Sequence, residues 1–399
     1  MIRTVAILGG GPAGAFAAEQ LARSGIKTFL FDEKLAWEKP CGGGLTYKAY
    51  RDYPFLLYGG TEKRLIPETT LGTRGAGDVR MKLRHPLVIY SRAELNGMLL
   101  RRAEQAGAAI EKTRVMALES RGGGWRVRTR GGIVEADYCI VATGARNPLR
   151  EVGTKYTAAD TMNALGYYVP GSQSHIDVQF LTNLEGYIWI FPRCDHLSVG
   201  ICGKGAPAYV LRGLLELFLR ERGVPFDGAP FYSHVLPSLA QASWEANRVA
   251  GDRWMAVGDA AGLVDPVTGE GLYYAIRSGD LASRTILDEE TSLADKAAAY
   301  RGTLAREFTE DLQCASRLAR RLYLGNFALG SMPDRMVQMA RRSPLLRDVL
   351  QDLFAGVQPY STLKSRLKSR FTGTMTEVLA SFVHRRAEAQ SAEPAAGRS

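Results

Sequence analysis

A chain of 399 residues is long enough for two domains or one large bipartite unit, and its composition, 46% hydrophobic and 23% charged, excludes a collagen, a repeat array or a disordered chain. No run of 18 apolar residues occurs, which argues against a spanning helix, and the opening MIRTVAILGGGPAG lacks the cleavage site of a secretory signal, so a soluble cytoplasmic protein is expected. The net charge of +10 gathers near the C-terminus in Lys364, Arg366, Lys368, Arg370, Arg385 and Arg386, a pattern that suits a solvated helix face or an anionic membrane surface; without a nucleic-acid module, nucleic acid is not expected.

In chain order, the apolar run Thr4–Leu8 reads as a buried strand. Pro12 opens a helix that runs to about Ser24 and stops at Gly25, and Thr28–Phe31 reads as the next strand. This is a βαβ beginning, and the right-handed crossover rule puts the two strands side by side. A helix is expected over Arg92–Ala106, ended by Gly107. A meander of Ile110–Leu118, Trp125–Arg130 and Ile133–Ala136 follows, then the buried strand Tyr138–Ala142. Between about Met162 and Val235 the pattern becomes antiparallel, with strands at His175–Leu181, Tyr187–Phe191 and Leu197–Cys202 and a helix at Val210–Arg222. Trp254–Val257 returns to the parallel type, a long helix begins at Gly271, and everything beyond about Ser292 reads as helical, with a frayed last ten residues. The boundaries that follow are 1–160 for the first part of a nucleotide domain (with about 50–90 lent to a second domain), 161–235 for an inserted sheet domain, 236–330 for the second nucleotide part, and 331–399 for a helical region.

The five cysteines, Cys41, Cys139, Cys194, Cys202 and Cys314, are scattered and contain no CxxC pair, and the five histidines show no HxxxH spacing; neither a disulfide framework nor a metal is expected. Gly9, Gly11 and Gly14 form G-x-G-x-x-G between a strand and a helix. The first glycine allows the turn, the second lets backbone approach a pyrophosphate, and the third lets helix and strand pack closely. Pro12 and Ala13 complete this phosphate loop. Asp32, at the end of the second strand, is the expected acceptor for a ribose hydroxyl, with Glu33 as the fallback.

Gly258-Asp259-Ala260-Ala261-Gly262, with Pro266 and Gly269-Glu270-Gly271 before a helix at Leu272, resembles the second FAD fingerprint of the glutathione-reductase-like flavoproteins. The resemblance implies FAD, with Asp259 at the ribityl or pyrophosphate region and the helix N-terminus at the flavin's N1–C2=O edge. It also places Arg92, Ala142 and Gly144 at the cofactor. Lys39-Pro40-Cys41-Gly42-Gly43-Gly44-Leu45, Gly186-Tyr187-Ile188-Trp189-Ile190-Phe191-Pro192 and the run Pro266 to Ser283 are similar, over nearly the whole chain, to the geranylgeranyl reductase family. That family implies an α/β fold: a discontinuous Rossmann-like FAD-binding domain, an inserted, mainly antiparallel β-sheet substrate domain and a helical C-terminal region. The chain departs from the A-D-G of aromatic hydroxylases, with Val141-Ala142-Thr143-Gly144 instead.

The implied reaction is hydride transfer from reduced flavin to C=C bonds of an isoprenoid, with an external electron donor (NADPH, ferredoxin or reduced flavin) and peripheral contact with the inner membrane face as an open option. Tyr187, Trp189 and Phe191 alternate on a strand and so share a face, which suits the wall of an apolar tunnel as well as ordinary core. Cys41 is a candidate proton donor or gate, or packs on the isoalloxazine. Cys41, Gly42 and Gly43 are read as flavin contacts, Gly44, Leu45 and Pro192 as substrate contacts, and Cys41, Tyr187 and Trp189 as the catalytic set. The alternative activity is a flavin monooxygenase or halogenase. A halogenase needs a lysine over its tunnel, for which Lys63 and Lys82 are the candidates.

Overall fold

The computed structural model describes residues 1–149, 151–327 and 329–369. Arg370, Arg385, Arg386 and the last ten residues lie outside them. Thr4–Leu8 pairs in parallel with Lys27–Phe31 on one side and Tyr138–Val141 on the other; the fully buried apolar side chains of the central strand explain why it sits mid-sheet. The six-stranded order runs Ala250–Gly251, Trp254–Ala256, Tyr138–Val141, Thr4–Leu8, Lys27–Phe31, Ala109–Glu111. Helices Pro12–Arg23, Arg92–Gln105 and Leu272–Leu287 pack around this sheet, and the first and last approach so closely that a Cβ on Gly279 would lie 2.4 Å from the Ala13 carbonyl oxygen.

The second sheet has eight strands, in the order Phe231–Pro237, Thr161–Val169, Leu197–Gly203, Gly186–Pro192, Ile176–Phe180, Arg64–Thr73, Gly77–Ile89, Gly44–Leu45. All neighbours are antiparallel except Ile176–Phe180 with Arg64–Thr73. One face carries Ile188, Ile190, Val199 and Ile201, and helix Ala208–Glu221 covers it with Leu211, Leu215 and Phe218. The other face carries Tyr187, Trp189 and Phe191 and looks toward the C-terminal helices Glu310–Leu324, Met332–Arg342 and Pro344–Phe354.

Two expectations are corrected. The run Ile110–Leu118 is two strands: Ala109–Glu111 joins the parallel sheet beside Lys27–Phe31, whereas Val115–Arg121 opens the meander. The polar Lys112-Thr113-Arg114 between them lets the chain change sheets. The hairpin Arg64–Ile89 lies in the inserted sheet, and Thr161–Val169 and Phe231–Pro237 pair along seven residues. The helical region is interrupted by a short hairpin, Asn326–Phe327 with Gly330–Ser331. Gly325 ends the preceding helix in extended conformation, where a Cβ would lie 2.2 Å from the Arg321 carbonyl oxygen.

Candidate active site

The phosphate loop divides its glycines by task. Gly9 has φ +121°, and a Cβ there would lie 2.2 Å from the Ala142 carbonyl oxygen; one on Gly14 would lie 2.0 Å from the Gly9 carbonyl oxygen. Both are packing positions, and neither lines the cleft. Gly11 differs: a Cβ would meet nothing within 4 Å, so open space lies before the start of helix Pro12–Arg23. That is the space an incoming pyrophosphate requires. Pro12, Ala13, Ala142, Gly144, Gly258, Asp259, Gly269, Gly271 and Leu272 line the same cleft.

Asp32 sits at the end of the second strand, as expected, but its carboxylate already accepts the amides of Gly10 at 2.7 Å, Lys34 at 2.7 Å and Leu35 at 3.1 Å. A carboxylate has about four acceptor positions, so about one remains for a ribose hydroxyl. Glu33 is exposed beside it.

Arg92 is buried and lines the cleft. Its Nη2 donates to Asn96 Oδ1 at 3.4 Å, while its Nε has no partner among the described residues. An orphaned guanidinium N–H beside an open cleft is what an anionic or hydroxyl-rich group would satisfy. Glu38 holds the arginine's helix by accepting from Ser91 Oγ and the amides of Arg92 and Ala93. Burial acts to raise the Glu38 carboxyl, but Arg193, Ser91 and those amides outweigh it and hold it below the usual range.

Opposite Arg92, Lys39 Nζ lies 3.1 Å from Asp259 Oδ2. Burial pushes the Asp259 carboxyl up, but Lys39 beside it and the surrounding positive charge, Arg92 included, outweigh that and hold the group below its ordinary range. His234 nearby is pushed down to about 3 by burial and by Lys39, and is therefore neutral. These residues fit FAD: glycine backbone and a helix N-terminus for the pyrophosphate, Asp32 for the ribose, and Arg92, Asp259 and Lys39 around the ribityl region.

A larger cavity abuts this cleft, and the two share Pro40, Cys41, Leu236, Gly269, Gly271 and Leu272. The junction is built by the Cys41–Gly44 loop. Arg193, fully buried, donates from Nη2 to the Cys41 carbonyl oxygen at 2.6 Å, and Ser198 Oγ donates to the same oxygen at 3.0 Å. Gly43 has φ +77°, and a Cβ there would lie 2.3 Å from both Arg193 Nη1 and the Tyr90 carbonyl oxygen. Gly42 and Gly44 lie against the Phe191 ring, at 3.3 and 3.0 Å from their notional Cβ positions. The Cys41 sulfur accepts the Gly43 amide at 3.3 Å.

Beyond this junction Tyr187, Trp189 and Phe191 form one wall, with Val178, Phe180 and Leu87 alongside and Met336, Leu350, Leu353 and Phe354 opposite. The shared face read from alternation is thus a cavity wall, and Cys41, Tyr187 and Trp189 come together on it. The loop Asp265–Gly271 closes the flavin side. It is fastened by Tyr187 OH donating to the Thr268 carbonyl oxygen at 2.5 Å, Tyr323 OH to that of Val267 at 2.7 Å, and Tyr360 OH to Asp265 Oδ2 at 2.7 Å.

Other expected contacts fall elsewhere. Leu45 is fully buried, Pro192 is buried at the strand end, and neither lines the cavity; Pro266 lines neither space. Leu45 pairs with Val88 in the sheet edge, which turns it into core. Lys63 bonds the Gly59 and Thr61 carbonyls, Lys82 is exposed, and the lysine that reaches the cavity is Lys48. Its ammonium lies 4.6 Å from the centre of the Tyr273 ring. Sequence reasoning left Glu38, Lys39, Lys48, Arg193, His234 and Glu270 without roles. Lys39 and Glu270 lay inside motifs already singled out, and that adjacency was the available signal. Among the described residues no cluster of metal ligands occurs and no helix is long and apolar enough to cross a membrane.

The cleft and its fingerprint loops define a flavoprotein oxidoreductase that uses FAD. The sequence profile of the pyridine nucleotide-disulphide oxidoreductases matches residues 3–163. The chain is 30% identical to menaquinone reductase of Mycobacterium tuberculosis (strain ATCC 25618 / H37Rv) over 369 residues, covering 83% of this chain and 87% of that one. It is 28% identical to the chloroplastic geranylgeranyl diphosphate reductase of Nicotiana tabacum, over 71% of this chain and 66% of that one. The chain belongs to the geranylgeranyl reductase family of FAD-dependent oxidoreductases. Among solved structures, a geranylgeranyl bacteriochlorophyll reductase-like protein from Thermoplasma acidophilum superposes with TM-score 0.76 at 20% identity, covering 92% of this chain and all of that one. A flavin-dependent brominase superposes with TM-score 0.66 at 16% identity, covering 93% of this chain and 99% of that one. These two likenesses speak to fold.

Proposed function

We propose that this protein reduces C=C bonds in the chain of an isoprenoid lipid, quinone or pigment precursor. The observation that carries this reading is the apolar cavity walled by Tyr187, Trp189 and Phe191, which meets the cofactor cleft at Cys41 and at Gly269–Leu272. When bound, reduced FAD supplies a hydride to one alkene carbon. The chain's own residues do the rest. The three aromatics and the facing Leu350, Leu353 and Phe354 hold a flexible apolar chain and exclude water. Gly42 and Gly44 let the backbone lie against the Phe191 ring at the junction, and Gly43 lets the loop pack on Arg193 and the Tyr90 carbonyl. Cys41 and Trp189 flank the reacting bond, and the aromatic faces favour positive charge developing on it.

A flavin halogenase or monooxygenase is the second reading, favoured by the fold shared with the brominase and by Lys48 in the cavity wall. Its chemistry consumes oxygen, whereas alkene reduction does not. Product formation from a panel of prenylated alcohols and quinones under strict anaerobiosis separates the two. Products that require oxygen, or oxygen and halide, would replace the reductase reading.

A further inference from the structure

We propose that Glu270 is the catalytic acid of this site, giving a proton to the alkene carbon opposite the one that receives hydride. This rests on the reductase reading. Glu270 lies between Gly269 and Gly271, in the loop that begins the flavin-facing helix Leu272–Leu287, and it lines the same cavity as Cys41 and Tyr187. Its Oε1 accepts the Tyr273 amide at 2.8 Å, which fixes the carboxyl at the cavity wall. An isolated alkene is a poor hydride acceptor, so its reduction requires a positioned proton donor.

Two of the other protonatable groups on the wall are committed. Asp265 accepts the Val267 and Thr268 amides through Oδ1 and the Tyr360 hydroxyl through Oδ2. Tyr187 donates its single proton to the Thr268 carbonyl oxygen, and burial pushes its phenol far above the ordinary range. Around Glu270, Asp265 comes from its own loop and Tyr273 and Tyr274 from the following helix. Lys48 comes from helix Tyr47–Asp52, where it also feels Arg51 and Asp52, and feels Asp311 from helix Glu310–Leu324. Burial and Asp265 push the Glu270 carboxyl up to about 7, against the Tyr273 amide and Lys48. The acid is therefore substantially protonated near neutrality, as a donor must be.

In the step, the alkene π pair forms a new C–H bond with the Glu270 proton while hydride from reduced FAD forms the second. The alkene is reduced, the flavin is oxidised and Glu270 is left as carboxylate. Solvent returns the proton, and an external two-electron donor restores the reduced flavin.

The test compares wild-type protein, Glu270→Gln and Glu270→Asp, all loaded with FAD and reduced anaerobically with dithionite, then mixed with geranylgeraniol. Glu270→Gln keeps the Tyr273 contact but has no acidic proton, so flavin reoxidation by substrate falls at least about 100-fold while FAD binding holds, and Glu270→Asp recovers part of the rate. Independently, infrared spectra with ¹³C-labelled glutamate show a protonated carboxyl near neutral pH in wild type that is missing from Glu270→Gln. Undiminished turnover in Glu270→Gln, or a Glu270 fully ionised at pH about 6, overturns the proposal. A loss of equal size in Cys41→Ser with an unaltered infrared band assigns the proton to the thiol instead. If wild-type protein itself reduces no isoprenoid, the reductase reading fails, whatever the infrared band shows.

Discussion

Gly269 joins the two halves of the site, and replacing it measures how tightly they are coupled. It has φ +70°, and a Cβ there would lie 2.4 Å from the Tyr187 hydroxyl oxygen, 3.5 Å from Cζ and 3.8 Å from Cε1. In Gly269→Ala the methyl group must displace the phenol and break its bond to the Thr268 carbonyl oxygen. An unmade buried hydrogen bond costs about 1–3 kcal/mol. The left-handed backbone adds about 1 kcal/mol for a residue with a Cβ. The expected loss is therefore about 3 kcal/mol. Tyr187→Phe removes the obstructing oxygen, after which the nearest ring carbon, at 3.5 Å, is an ordinary contact. In that background Gly269→Ala costs only the backbone contribution, about 1 kcal/mol, and the coupling energy is about 2 kcal/mol. Urea unfolding of the four proteins, at constant slope, reads these values. Equal costs for Gly269→Ala in both backgrounds would refute the contact on which the cavity junction rests.

Three further outcomes follow from the charged groups and the thiol. Lys39→Met leaves Asp259 buried without its nearest cation and costs about 2 kcal/mol of stability, less than a wholly isolated pair because Arg92 remains. In wild type the depressed Asp259 carboxyl stabilises above its unfolded pKa and that contribution is lost in acid. In Lys39→Met the carboxyl moves upward, so the deficit in thermal unfolding grows as pH rises from acid through the raised titration of Asp259; a deficit independent of pH would contradict this. Glu270 behaves in the opposite sense to wild-type Asp259: its raised pKa, about 7 in the fold against 4.5, makes wild-type stability fall as pH rises through that window. Glu270→Gln removes the slope and gains up to about 3 kcal/mol on wild type above neutrality, and parallel stability curves would sink the assignment. Cys41→Ser changes a group that touches both spaces, so turnover falls by less than about tenfold with no change in its pH profile. A shift of that profile would give the thiol a proton-transfer role.

The parts of the site that backbone geometry dictates were legible in the residues. Gly9 and Gly14 declare themselves because only glycine fits the close approaches there, Gly258, Gly262 and Gly269 because their backbone is left-handed, and Gly11 because it leaves open space before the helix. Alternation alone put Tyr187, Trp189 and Phe191 on one face, but it could not say whether core or cavity lay opposite. The helices that decide this, Met332–Arg342 and Pro344–Phe354, lie more than 140 positions downstream. The same limit hid Arg193, whose role is to hold a carbonyl 152 positions away, and Lys39, whose partner Asp259 is 220 positions away. It also hid the pairing of Arg366 with Asp352 at 2.7 Å, a contact no local pattern announces. The split of Ile110–Leu118 shows that an apolar run does not reveal which sheet it joins.

The most direct test of the account is a single turnover without oxygen. The FAD-loaded protein is reduced with dithionite, mixed with geranylgeraniol or a prenylated quinone, and followed by flavin absorbance and product mass. Alkene reduction predicts reoxidation of the flavin with a gain of about two hydrogens per bond in the isoprenoid. A flavin that stays reduced across the isoprenoid panel until oxygen is admitted, with an oxygenated or halogenated product, would contradict the central claim.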